Sequence, residues 1–97
     1  MSQETEILFD TAVLGKQWDD FMRSDIGRYL DDCLAKEHRT GLDELVNANP
    51  ADAEAVRAAQ NKVWRAVQLR SWIQSSIVAG LKATAVLESR DDEDDFL

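Results

Sequence analysis

Pro50 is the only proline in the chain, and after it nothing stops a helix for 38 residues. Residues 51–88 hold one interior glycine, Gly80, and a spaced apolar set: Val56, Ala59, Val63, Ala66, Val67, Trp72, Ile73, Ile77, Leu81 and Leu87. At 1.5 Å per residue such a helix is roughly 57 Å long. A helix of that length cannot bury its stripe against one partner of ordinary size, so it constrains everything upstream. Its start is marked by Asn47-Ala48-Asn49-Pro50, where Asn49 can cap and Pro50 fits the first helical position. Asp52 and Glu54 then favour the first turn electrostatically.

Two shorter helices are expected before it. Over residues 4–23, Ile7, Leu8, Leu14, Trp18, Phe21 and Met22 recur at three-, four- and seven-residue spacings, the signature of one buried face. Gly15 weakens this helix or lets a neighbour approach closely. Ser24-Asp25 breaks the pattern, with Ser24 able to cap a new helix. Residues 25–47 carry Ile26, Leu30, Cys33, Leu34, Leu42, Leu45 and Val46, with a polar stretch over residues 36–41 that leaves room for a kink at Gly41. The expected fold is all-α: three helices in an antiparallel hairpin or bundle, with the C-terminal helix as spine. The second helix would cover the spine's first half and the first helix its second half. A compact three-helix bundle with a protruding spine end is the alternative. A chain of 97 residues is a single domain, here residues 1–90, and should bury roughly 60–65% of its unfolded surface. Residues 91–97, Asp-Asp-Glu-Asp-Asp-Phe-Leu, read as a disordered acidic tail.

The net charge of −8 argues against a general nucleic-acid or anionic-membrane binder, but it is unevenly laid out. Residues 1–54 carry −8 and residues 88–97 carry −5, whereas residues 55–87 contain five basic side chains and no acid. The acid-free block is therefore expected to pair across helices with the acids of the first two, fixing register more than stability. The single Cys33 forms no internal disulfide, and with no apolar run of membrane length or signal peptide the expected location is the cytoplasm.

Nothing points to catalysis. His38 is the only histidine and sits in a polar stretch, where a solvated surface position is expected. Cys33 falls on an apolar stripe, as a small buried hydrophobe would. One His and one Cys make no zinc site, and no phosphate-binding glycine loop or calcium loop occurs. No enzyme activity and no cofactor are expected. The paired acids Asp19-Asp20, Asp31-Asp32 and Asp43-Glu44 fit a solvated outer face.

Two features suit partner binding. Trp64 and Trp72 lie at the margin of the third helix's stripe, where another protein or a second subunit could cover them. The tail joins Asp94 and Asp95 to Phe96 and Leu97, combining charge steering with an apolar anchor and a carboxylate. Over those seven residues it resembles the acidic tips of single-stranded-DNA-binding proteins. The alternative is nucleic-acid contact, as in a small DNA-packaging subunit, through Arg57, Lys62, Arg65 and Arg70.

The stretches ETEILFDTAVLGKQWDDFMRSDIGRYL (residues 4–30) and NKVWRAVQLRSWIQSSIVAGLKA (residues 61–83) resemble small proteins of unassigned function encoded by tailed bacteriophages or prophages. That resemblance implies a viral accessory protein in the host cytoplasm and supplies no site residues. The expectation is a non-catalytic helical interaction protein, homo-oligomeric, binding a phage or host protein.

Overall fold

The structure, a computed structural model, describes residues 2–95, with side chains up to Asp91. It consists of α1 (Gln3–Arg23), α2 (Asp25–Asn47) and α3 (Ala53–Asp95), without a strand among the described residues. No helix among them is long and apolar enough to cross a membrane. α1 starts where the Ser2 hydroxyl accepts the Thr5 amide, with Glu4 and Glu6 in the first turn. Ser24 ends α1 and begins α2: its amide and hydroxyl both donate to the Phe21 carbonyl, and its Oγ accepts the Gly27 amide at 3.1 Å. Ser24→Ala should therefore cost about 0.5–2 kcal/mol, a drop readable in the urea midpoint without loss of helical content.

α2 continues through Gly41, which is buried, so the chain does not break there. α3 starts at Ala53 and not at Ala51, because Asn49 Oδ1 is used locally, accepting the Ala51 amide at 3.0 Å in an Asx turn. Asp52 Oδ1 takes over the capping bond by accepting the Ala55 amide at 3.1 Å. At its other end α3 runs past residue 88 to Asp95, so residues 91–95, expected as a disordered tail, are helical. Acidic residues cost a helix only tenths of a kcal/mol each, and extending a formed helix is cheaper than starting one. Arg90 ties the preceding turn to α1, donating to Thr5 Oγ1 at 3.1 Å and Glu4 Oε1 at 3.2 Å. Phe96 and Leu97 lie outside the described residues.

Cross-helix bonds fix the directions. Along α2, Glu44, Glu37 and Asp31 meet Lys62, Arg65 and Arg70 of α3 in turn, so the two helices run oppositely. Gly15 of α1 lies against Gly80, and Glu4 against Arg90, so α1 also opposes α3, farther along it. The contact line on each helix follows a seven-residue step. It passes through Leu8, Gly15 and Met22 on α1, Gly27, Leu34 and Gly41 on α2, and Ala59, Ala66, Ile73, Gly80 and Leu87 on α3. Small residues on this line draw the backbones together: a Cβ added at Gly15 would stand 2.7 Å from Gly80 Cα.

The product is a ribbon two helices wide, 69 × 28 × 16 Å, with a radius of gyration of 19.6 Å. A compact chain of this length has about 12.5 Å. Among the described residues the buried apolar set is Leu34, Ala59, Ala66, Ile73 and Ala83, and no large side chain there is fully enclosed. The accessible surface of 7473 Å² means that only about half of the unfolded surface is buried, less than the sequence led us to expect.

Candidate interaction surface

The seven-residue line divides the ribbon into two faces. A residue just before a line position turns about 100° to one side, and a residue just after it turns the same amount to the other. For helices running oppositely, the "before" positions of both share one face. Ile7, Leu14 and Phe21 of α1 therefore lie alongside Trp72, Ala79 and Val86 of α3, and all six are exposed. Trp18, half-buried on the same side, packs edge-on to Phe21 with ring centroids 6.0 Å apart. From Leu69 to Val86, and across Ile7 to Phe21, the centre of this face is apolar, with Asp10 and Lys82 at its outer edges. It spans ~26 Å along α3. Ion pairs flank it on the same face: Glu4–Arg90 at one end, Glu37–Arg65 and Glu44–Lys62 at the other.

The opposite face is charged. It carries Lys16–Asp20 and Arg23–Asp19 within α1 and Arg70–Asp31 between α2 and α3. A groove at the joint of α1 and α2 opens there, lined by Met22, Arg28, Asp31, Asp32, Arg70 and Ile73 among others.

The residues singled out from the sequence are distributed over these faces. Trp64 and Trp72 are both 59% exposed. Their eight-residue separation turns them about 80° apart, so only Trp72 joins the apolar face and Trp64 looks out from the back of α3. Asp94 and Asp95 belong to the end of α3, and their side chains, like Phe96 and Leu97, are outside what is described. Lys62 binds Glu44 at 2.7 Å, Arg65 binds Glu37 at 3.1 Å and Arg70 binds Asp31 at 2.7 Å. Three of the four basic residues considered for nucleic acid thus face α2 carboxylates where phosphates would have to sit. Arg57 takes part in no ion pair among the described residues. All these pairs are partly exposed, and each contributes only ~0–1 kcal/mol.

Cys33 is exposed and not a core residue, because it stands just before the line residue Leu34. His38 is half-buried on the other face, in a groove with Ala66, Val67 and Arg70. The thiol and the imidazole therefore do not meet. The Cys33 side chain, hydrogen-bonded to Tyr29 one turn away, holds that exposed phenol above its usual range. No group of three His, Cys, Asp or Glu side chains is placed to hold a metal among the described residues.

The sequence stripe counted Ile7, Leu14 and Phe21 as core, whereas they form the outer apolar face. The signal that separates them is the heptad of small residues: Gly15 and Gly80, rather than their larger neighbours, mark where the backbones touch. In comparisons with known proteins, no family model, no curated protein and no solved structure matches this chain.

Proposed function

We propose that this chain is a non-catalytic, helical protein–protein interaction protein. In this reading it is a bacteriophage accessory protein of the host cytoplasm, with α3 as the spine on which α1 and α2 lie antiparallel. The observation supporting it is the apolar face built by Ile7, Leu14, Phe21, Trp72 and Val86, left in solvent on a chain with net charge −8. Contiguous exposed apolar surface of this kind marks association sites, and aromatic side chains are frequent anchors in them. The end of α3 offers a second, independent handle through Asp94, Asp95, Phe96 and Leu97.

The test is capture of phage or host proteins on the immobilised full chain, a chain ending at Arg90, and a Trp72→Ala chain. A specific protein should be retained by the full chain. Its loss on truncation assigns the tail, and its loss in Trp72→Ala assigns the face. Failure of the full chain to retain any protein from infected-cell lysate would sink the proposal. A DNA mobility shift whose affinity falls steeply with salt would instead favour a nucleic-acid contact.

A further inference from the structure

We infer that the apolar face of α1 and α3 is covered by a second copy of this chain, in an antiparallel dimer whose two-fold axis crosses the ribbon at Leu14 and Ala79. This inference rests on the interaction reading above and names the partner. Three observations support it.

The first is area. A compact monomer of 10.9 kDa exposes ~5,600 Å², whereas this one exposes 7473 Å². The surplus of ~1,900 Å² exceeds the ~800 Å² that each partner of a stable dimer contributes. A ribbon 16 Å thick is a single layer of helices, and domains are built from two.

The second is charge. A chain of net charge −8 repels its own copy almost everywhere, yet the centre of this face is apolar, and its two edge charges, Asp10 and Lys82, are opposite in sign. The acids at its ends, Glu4 and Glu37, are already matched by Arg90 and Arg65.

The third is the order of side-chain sizes. Gly15 lies against Gly80, so Leu14 and Ala79 stand at nearly one height on the ribbon. Phe21 and Ile7 lie seven residues to either side of Leu14, and Trp72 and Val86 seven to either side of Ala79. A two-fold axis across the ribbon at that height lays α1 on α1 and α3 on α3, antiparallel. Phe21 of one copy then comes over Ile7 of the other, Trp72 over Val86, and Ala79 over Ala79. Phe21 over Ile7 and Trp72 over Val86 set larger residues on smaller ones, while Leu14 and Ala79 meet their own copies at the axis, as an isologous contact needs, and the four helices form a bundle with its own core.

The experiment is the solution mass of the full chain at micromolar concentration, with helicity checked by circular dichroism. We expect twice 10.9 kDa for the unaltered chain, one-half of that mass for Leu14→Glu, and an undiminished dimer for Leu81→Glu on the charged face. Leu14 is 50% exposed and Leu81 67%, so neither change buries a charge in the monomer. In a Cys33→Ser background, Leu14→Cys should form an interchain disulfide and Leu81→Cys should not. This keeps the test decisive if Leu14→Glu fails to fold. A strict monomer at 100-fold higher concentration overturns the dimer, as does a dimer that cross-links through Leu81→Cys alone. A monomer that still captures another protein would refute this inference and leave the interaction proposal standing. A dimer that captures nothing would do the reverse.

Discussion

Gly15→Ala should lower the melting temperature, although alanine is the better helix former by about 1 kcal/mol. The added methyl would stand 2.7 Å from both Gly80 Cα and the Ser76 carbonyl oxygen. Both are backbone atoms, which cannot rotate away as a side chain can. Overpacking of this kind costs about 1–3 kcal/mol, and backbone obstruction puts it at the upper end, so the packing loss outweighs the propensity gain. The net ~1–2 kcal/mol corresponds to roughly 4–16 °C in a domain of this size. Gly27→Ala should be worse, because its methyl would meet the Phe21 carbonyl oxygen and, at 2.5 Å, Met22 Cα. Gly41→Ala should be the mildest, since its closest obstacle is a Val63 methyl at 2.8 Å. Thermal unfolding of the three variants at one protein concentration tests this order. A rise in melting temperature for Gly15→Ala would show that α1 and α3 do not approach through their glycines.

Ile73→Ala should be the costliest truncation on α3. Ile73 is 5% exposed, and it lies on the contact line where α1 ends and α2 begins, beside Met22 and Ile77. Removing a buried aliphatic side chain costs about 2–5 kcal/mol, depending on how far the site collapses. The joint already opens into a groove, and neighbours can settle inward, so the lower half of that range is expected. A chain of 97 residues has a total stability of only about 5–15 kcal/mol, so the variant should unfold at a visibly lower urea concentration. Leu81→Ala, on an equally apolar but exposed residue, should stay within ~0.5 kcal/mol of the unaltered chain. Equal losses at the two positions would mean that Ile73 is not a core residue. Both must be measured at the same concentration, because self-association adds to apparent stability.

These two expectations show where the sequence was legible. The three helices follow from periodicity and the breaks at Ser24 and Asn49-Pro50. The charge layout was equally readable: an acid-free block opposite acidic helices leads to Lys62–Glu44, Arg65–Glu37 and Arg70–Asp31. What periodicity could not settle was which part of each apolar stripe turns inward. In a thick bundle Ile7, Leu14 and Phe21 would all be covered. In a ribbon two helices wide the covered arc is narrow, and it centres on glycine and alanine. Hydrophobicity points to the large residues, whereas backbone proximity needs the small ones, so several stripe residues, Ile7, Leu14, Ile26 and Val46 among them, are exposed while the glycines are buried. Trp64 and Trp72, expected at the stripe's margin, are both exposed, but helical geometry sends them in different directions. The end of α3 differed for another reason, since composition describes an isolated acidic segment and not one continuing an existing helix.

The seven-residue step on all three helices also has a consequence for length. Each repeat is a fixed unit of ~10.5 Å, and the lines on α1 and α2 are joined out of phase at Ser24, from Met22 to Gly27. The two short helices therefore keep separate phases against one long partner. Seven residues added to α1 and to α3 together would lengthen one arm of the rod by one unit and leave the other arm unchanged. One residue added inside α1 or α2 would instead turn the helix beyond it by about 100°. In that sense the molecule is a ruler with two independent scales, adjustable in whole heptads and intolerant of anything between.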